Sequence, residues 1–140
     1  MGGEILFPNQ KHADEVAAAW THETANFHIT FLIGEQWPRW TTRDGIREHG
    51  MACGYRFQVT AFETSPSAAR VTVSNTGVAP IYHDAFVAVN GIRAKESLKG
   101  LLPRESHRFD VASGGANAKL EIECDRLVPG QRIGFDANLK

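Results

Sequence analysis

The chain has 140 residues, of which 42% are apolar and 22% are charged, and its formal net charge is −1. A chain of this length can bury about two-thirds of its unfolded surface, and this composition is typical of globular rather than disordered proteins. The near-neutral charge gives no sign of the basic surfaces that capture nucleic acids or anionic membranes, so we predict neither as a partner.

Residues 1–54 have a helical pattern. Asn9 after Pro8 is a candidate N-cap, and the helix that it begins runs to Asn26 with Trp20 on its inward stripe. Residues 27–33 (FHITFLI) alternate and are apolar, which predicts a short buried strand. Thr41 or Thr42 is expected to cap a second helix over residues 43–49, which Gly50 ends in the left-handed conformation.

Residues 55–140 have the two-residue period of β-strands. Tyr55, Phe57, Val59 and Ala61 fall on one face of the first strand. Further strands are predicted over residues 70–74, 85–90, 108–111, 119–124 and 131–136, with turn residues between them. The fold class is therefore predicted as mainly β, an antiparallel immunoglobulin-like β-sandwich, with one or two N-terminal helices. The run from Ser113 to Asn117 is predicted as a flexible hairpin connection.

Three short motifs carry a family resemblance: GYRF (residues 54–57), NTGVAPIY (residues 75–82) and GLLPRES (residues 100–106). With them the chain resembles the uncharacterised C-terminal β-sandwich of bacterial glycoside-hydrolase-like (β/α)₈ barrel proteins. The segments at residues 2–5 and 31–37 are similar to the last two strands of the barrel. The resemblance implies a periplasmic or extracellular location.

A barrel cannot close without its eight strands, and most of one is absent from these residues. We therefore predict that the chain is not an enzyme by itself; it is either a fragment of a glycoside-hydrolase-like protein or a free-standing relative. The N-terminal sequence MGGEILFPNQ has no basic segment followed by an apolar one, so no signal peptide is predicted. Location therefore stays open.

Catalytic and metal-binding patterns are weak throughout the sequence. Glu4 and Glu35 are a conceivable glycosidase pair, although surface or capping roles are the more ordinary interpretation. His83 and Asp84 alone are too few donors for a metal, and no phosphate-binding loop is present. No catalytic residue, metal or cofactor is predicted. Cys53 and Cys124 are expected to be buried free thiols, with one disulfide as the alternative.

Aromatic residues near loops provide the main functional hypothesis. Sugar rings stack on aromatic planes while their hydroxyls bond to polar side chains, so we predict a carbohydrate-binding role for five residues: Trp37, Arg39, Trp40, Tyr82 and Asp84. Asn75 and Asn90 are further polar candidates. The first hypothesis is a non-catalytic, carbohydrate-associated module with a glycan ligand. The alternative is an interaction domain that packs against a partner domain or a second copy, with Trp37 and Trp40 as a structural plug.

Overall fold

The computed structural model describes residues 2–5, 10–34 and 42–139. These residues are mostly β with two helices, and the chain divides into two compact units. Unit 1 comprises Met1–Tyr55 with Gly77–Ala79, and unit 2 comprises Arg56–Thr76 with Pro80–Lys140. The predicted domains 1–54 and 55–140 stay a prediction, since compactness is no test of independent folding.

Unit 1 contains a parallel strand–helix–strand motif. Strand β1 (Gly2–Ile5) is followed by helix α1 (Gln10–Asn26) and by strand β2 (Phe31–Gly34). The two strands pair in parallel, with Gly2 opposite Phe31 and Ile5 opposite Gly34. A parallel pair requires a crossover connection, and α1 lies within that connection. Helix α2 (Arg43–Met51) follows.

Trp20 connects the two helices of unit 1. Its side chain is only 4% exposed, which confirms the predicted inward position, and its indole Nε1 donates a hydrogen bond to the His49 carbonyl over 2.9 Å. Thr24, one turn further along α1, is fully buried, and its hydroxyl donates to the Thr21 carbonyl. The polar groups of this small interior are therefore satisfied. The predicted N-cap Asn9 lies outside the described residues.

The end of helix α2 differs from the prediction. Thr42 is the N-cap, and its hydroxyl accepts a hydrogen bond from the Gly45 N–H. The helix passes through Gly50 and ends with Ala52 as a right-handed C-cap, so the predicted stop at Gly50 is wrong. The left-handed residue is Gly54, with φ of +77°, and a Cβ there would lie 3.1 Å from the Thr30 carbonyl oxygen.

The predicted buried strand over residues 27–33 is only partly correct. Phe27 directly follows α1 in a turn, where its N–H donates to the Glu23 carbonyl. The strand begins at Phe31. Phe27 and Phe31 are each 56% exposed, so the apolar side chains at these two positions are not buried within the described structure.

Unit 2 consists of two antiparallel-rich sheets. Its strands are β3 (Phe57–Thr64), β4 (Ala69–Asn75), β5 (Ala85–Val89), β6 (Ile92–Arg93), β7 (Ser106–Val111), β8 (Leu120–Cys124) and β9 (Asp136–Ala137). One sheet has the order β7-β4-β3-β9, and the other has the order β6-β5-β8. Five of the six predicted strands are confirmed; the sixth is reduced to β9, which pairs in parallel with β3.

Buried side chains from both sheets form one hydrophobic core. Strand β4 shows why, because its inward residues alternate with more exposed ones along the strand, as a period of two requires. The main contributors from the two sheets are Phe57, Val59, Val71, Val73, Val87, Val89, Phe109, Val111 and Ile122. Ala61 does not follow the predicted alternation, because the β3–β4 register shifts between Val59 and Ala61 and Phe62 packs against the core instead.

The segment after β7 is not the predicted flexible hairpin. Strands β7 and β8 belong to different sheets, so Ser113-Gly114-Gly115 lies in a connection between sheets. Gly114 lies against the turn at Ser65–Ala68, where a Cβ would be 2.2 Å from the Ser65 carbonyl oxygen. The Gly115 N–H donates to that same carbonyl. Glycine is needed at position 114 because two backbone segments approach closely there.

Candidate functional site

The five residues predicted to bind carbohydrate are only partly within the described structure. Trp37, Arg39 and Trp40 lie outside the described residues. Tyr82 and Asp84 lie in the loop that precedes β5, and both are exposed, with 49% of Tyr82 accessible to solvent. An exposed aromatic ring near an exposed carboxylate is compatible with sugar contact, and their roles stay a prediction.

The two asparagines considered as further sugar contacts have structural surroundings. Asn75 is fully buried; its amide donates to the Leu101 carbonyl and accepts from the Arg56 N–H, each over 3.2 Å. Asn90 adopts φ of +53° at the turn between β5 and β6. Its side-chain oxygen accepts from the Lys119 N–H, and its amide donates to the Gly114 carbonyl. Both amides therefore hold the backbone of unit 2 together.

An open cavity of about 500 Å³ lies beside strand β7 and brings polar side chains together. We call it the His107 cavity; it is lined by Glu96, Ser97, Gly100, Leu101, Glu105, Ser106, His107 and Phe109. Strand β7 stands at the end of its sheet order, so the cavity borders a sheet edge. The segment that supplies Glu96 and Ser97 follows β6 of the other sheet. The cavity is thus formed by strand β7 and by the segment that connects the two sheets.

Two residues that line the His107 cavity, Glu96 and His107, are hydrogen-bonded to each other. The His107 imidazole donates from Nε2 to Glu96 Oε2 over 2.5 Å, and its ring meets Phe109 edge-on with centroids 4.9 Å apart. Phe109 is almost fully buried and packs in the core, so it fixes the ring of its exposed neighbour. The second oxygen of Glu96 is free of any hydrogen bond among the described residues.

Two other polar groups of the cavity are held by neighbouring backbone or side chains. Glu105 accepts a hydrogen bond from the Leu102 N–H, and the Ser106 hydroxyl lies 2.6 Å from the Ser74 hydroxyl. Both residues line the same opening as the Glu96–His107 pair, but the Ser106 hydroxyl lies with Ser74 on the face of the strand opposite to His107. The arrangement presents acceptors and donors in fixed positions, which suits a ligand with several hydroxyl groups.

A second opening, of about 430 Å³, borders strand β8, and four of the five charged residues that line it are ion-paired with each other, Arg132 being the exception among the described residues. Arg93 binds Glu123 and Asp125, each over 2.7 Å, and its guanidinium lies 5.4 Å from the centre of the Phe86 ring. The Arg93 hydrogen bond holds the pKa of Asp125 below its ordinary value, and Lys119 does the same for Glu121. These groups neutralise each other, so this opening offers a ligand less than the His107 cavity does.

Sequence reasoning missed the pairing of Glu96 with His107. The available signal was the alternation in Ser106–Val111, which puts His107 on the same face of the strand as Phe109 and opposite to Ser106 and Arg108. Alternation does not identify β7 as an edge strand, nor does it place the segment after β6 beside it. Those facts depend on the strand order.

Metal and thiol chemistry find little support in this structure. Within residues 2–5, 10–34 and 42–139, no three His, Cys, Asp or Glu side chains are grouped so that they would hold a metal ion. Cys53 and Cys124 are both free and half-buried rather than fully buried. Burial raises the pKa of the Cys53 thiol, and its Sγ lies 3.4 Å from the His49 carbonyl oxygen.

Nothing matches the chain in comparisons with protein-family models, with curated proteins or with solved structures. In the described parts of the chain, both helices fall short of the length and apolar character that crossing a membrane requires.

Proposed function

We propose that this chain carries a non-catalytic, carbohydrate-associated accessory module, in which unit 2 is an immunoglobulin-like β-sandwich that binds a glycan at the His107 cavity. The observation that carries the proposal is the Glu96–His107 pair, set with Glu105 and Ser106 around one open cavity at a sheet edge. Sugars are recognised by such fixed hydrogen-bonding groups in concave sites.

The strand order of unit 2 supports the immunoglobulin-like part of the proposal. If β3, β4, β5, β7 and β8 are equated in chain order with strands A, B, C, E and F, the pairings A–B, B–E and C–F all occur. Strand β6 then takes the place of C′ beside β5. Strand β9 departs from that pattern, because strand G would lie beside F in the sheet of β5 and β8, whereas β9 pairs in parallel with β3 in the other sheet.

The parallel motif of unit 1 supports the resemblance to a glycoside-hydrolase-like barrel. Strands β1 and β2 pair in parallel around α1, as neighbouring strands of a (β/α)₈ barrel do. The segments at residues 2–5 and 31–34 coincide with those that the resemblance assigns to the last two barrel strands. The accessory role and the location outside the cytoplasm follow from that resemblance and belong to the proposal.

Binding of glycans to the full chain tests the proposal. We expect calorimetric titration with neutral and acidic oligosaccharides to detect at least one ligand class. Glu96→Gln and His107→Gln are expected to weaken its binding about tenfold, which corresponds to roughly 1.4 kcal/mol. The matched control is Glu63→Gln, an exposed glutamate on β3 outside the cavity. Absence of binding across all classes would contradict the glycan-binding role.

The same titration distinguishes the His107 cavity from the residues predicted from sequence. Tyr82→Ala and Asp84→Asn should leave the affinity unchanged if the ligand lies at the His107 cavity. A larger loss in these variants than in Glu96→Gln would move the site to the loop before β5. Trp37, Arg39 and Trp40 would then be the next positions to substitute.

Exposed apolar side chains in unit 1 favour a second candidate function, an interaction domain. Phe27, Phe31 and Met51 are each 56% exposed, and helix α2 contains no buried residue. Large exposed apolar side chains that lie together mark interaction surfaces in many proteins. In this alternative, unit 1 packs against a barrel domain or a second copy of the chain.

Light scattering tests the second candidate function. The full chain is expected to self-associate at high concentration, and Phe31→Ser is expected to reduce the association. Leu102→Ser, at a similarly exposed position in unit 2, is the control. A strictly monomeric chain that also fails to bind an isolated glycoside-hydrolase-like barrel would contradict the interaction role.

A further inference from the structure

A second cavity lies next to the His107 cavity along strand β7. It has a volume of about 500 Å³ and shares Glu96 and Phe109 with the His107 cavity. We call it the Lys95–Arg108 cavity after two of the three cations that line it. Glu96, which accepts the hydrogen bond from His107, lines both cavities, so the two openings are neighbours along the edge strand.

The acidic groups around the Lys95–Arg108 cavity are already engaged. Asp110 pairs with Arg70 over 3.3 Å, and Glu96 accepts the hydrogen bond from His107. The third cation of the lining, Arg93, is held by Glu123 and Asp125. The nearby carboxylates therefore form their ion pairs and hydrogen bonds with groups other than Lys95 and Arg108.

Lys95 and Arg108 have no ion-pair or hydrogen-bond partner for their side chains among the described residues, and both are exposed. The same opening is lined by apolar residues, among them the buried Ala94, Phe109 and Val111. Because β7 is an edge strand, outward Arg108 and inward Phe109 both line this opening. The opening therefore combines two unpaired cations with apolar residues, which suits an anion attached to a larger body.

We propose that the glycan bound along β7 is acidic, with its carboxylate or sulfate group between Lys95 and Arg108 and a neighbouring sugar unit in the His107 cavity. This inference rests on the proposed glycan-binding function. A guanidinium can bind either anion through two parallel hydrogen bonds, and an ammonium adds a point charge beside it. The hydroxyl groups of the next unit meet Glu96 and His107.

The experiment compares four probes by calorimetric titration of the full chain: tetragalacturonate, a sulfated galactan tetrasaccharide, cellotetraose as a neutral sugar of equal length, and inorganic sulfate. At least one acidic tetrasaccharide is expected to bind ten times or more tightly than both cellotetraose and inorganic sulfate. Its affinity should fall severalfold between 50 and 500 mM salt, because salt screens exposed charges. The stronger acidic probe identifies which anion the site accepts.

Variants at the two cations complete the test. Lys95→Gln and Arg108→Gln are each expected to weaken acidic binding at least fivefold, and Arg108→Lys should retain part of it. Lys99→Gln, an exposed cation outside both cavities, is the control and should bind like the original chain. Circular dichroism verifies that each variant is folded. We expect all of them to fold, because the substituted side chains are exposed.

The possible outcomes separate the two proposals. If cellotetraose binds as tightly as the acidic probes, the acidic ligand is wrong and glycan binding stands. If inorganic sulfate binds as tightly as the stronger of the two acidic tetrasaccharides, the cavity is an anion site only and the inference is overturned. If no saccharide binds, both proposals fall. Unchanged acidic binding in Lys95→Gln and Arg108→Gln would overturn the location of the anion.

Discussion

The two units of this chain differ in how far they bury their own apolar residues. Unit 2 places side chains from two sheets in one shared core, with Val71, Val73, Val87 and Val89 fully buried. The described part of unit 1 buries Trp20 and Thr24, while Phe27, Phe31 and Met51 remain exposed. Since burial of apolar area is the main stabilising contribution in folding, this shared core is expected to provide most of the stability of unit 2. The described side chains of unit 1 form a much smaller interior around Trp20 and Thr24.

The largest effect is expected from Gly114→Ala in unit 2. A Cβ at this position would lie 2.2 Å from the Ser65 carbonyl oxygen and 2.4 Å from that of Ala68, so the backbone must move. We expect the free energy of unfolding to fall by roughly 3 kcal/mol, at the upper end of the usual cost of overpacking. Urea denaturation followed by circular dichroism measures it.

Gly134→Ala is the matched control for Gly114→Ala. No atom lies within 4 Å of a Cβ at this position, and its φ is not in the left-handed region. Its effect is expected to stay within about 0.5 kcal/mol. Equal unfolding midpoints for the two variants would show that unit 2 accommodates a Cβ at position 114 without loss of stability. The close packing inferred for unit 2 would then be wrong at this position.

The next effect is expected from Asn75→Ala, also in unit 2. The substitution leaves the Arg56 N–H and the Leu101 carbonyl without their side-chain partner at a fully buried position. A loss of about 2 kcal/mol in the free energy of unfolding is expected, because unsatisfied buried polar groups keep their desolvation cost. Asn117→Ala, at an exposed position, serves for comparison in the same assay. A loss no larger than in Asn117→Ala would assign Asn75 a role outside the fold.

Trp20→Phe tests unit 1 with a smaller expected effect. Phenylalanine keeps most of the buried ring but cannot donate to the His49 carbonyl, which costs roughly 1 kcal/mol. Hydrogen exchange resolved by peptide should become faster in α1 and α2 while exchange in β4 and β5 stays the same. Phe27→Leu, at an exposed position of unit 1, should change neither region. Faster exchange throughout the chain would mean that the units do not differ in stability as the burial suggests.

The smallest effect concerns the Cys53 thiol of unit 1. Burial raises its pKa, so less thiolate is present at any given pH than in an exposed cysteine. In a Cys124→Ser background, alkylation by iodoacetamide should be slower than that of a cysteine peptide. Its rate should still rise at pH values where the peptide has levelled off. The neutral thiol is favoured in the folded state, so its contribution to stability is present below the unfolded pKa and is lost as pH rises through the folded pKa. Alkylation as fast as that of the peptide would indicate an open unit 1.

The amount that the sequence predicts also differs between the two units. Alternation located β4, β5, β7 and β8 to within two residues at each end, because each of these strands has one face in a core. The shift to Phe62 was not predictable, since a bulge depends on the partner strand. In unit 1 the spacing identified Trp20 as buried, but Gly50 and Gly54 are indistinguishable as helix stops without the contacts around Gly54.

The candidate site was the least predictable feature. The residue types predicted a carbohydrate site at aromatic residues near loops. The two cavities chosen as the candidate site are lined instead by Glu96, His107, Lys95 and Arg108. These side chains come from segments on either side of a 3₁₀ turn at Leu98–Gly100, and they meet only because β6 and β7 belong to different sheets. The spacing of these residues in the sequence does not show that the two segments belong to different sheets.

The short strand β9 has a consequence for how the protein should be handled. It covers only Gln58 and Val59 of the eight-residue β3, with one more hydrogen bond from the Asn138 N–H to the Val59 carbonyl. Shortening the chain before Asp136 would uncover backbone donors and acceptors along the rim of the sheet. Uncovered rims of this kind recruit strands from other molecules, so trimmed preparations should precipitate sooner than the intact chain.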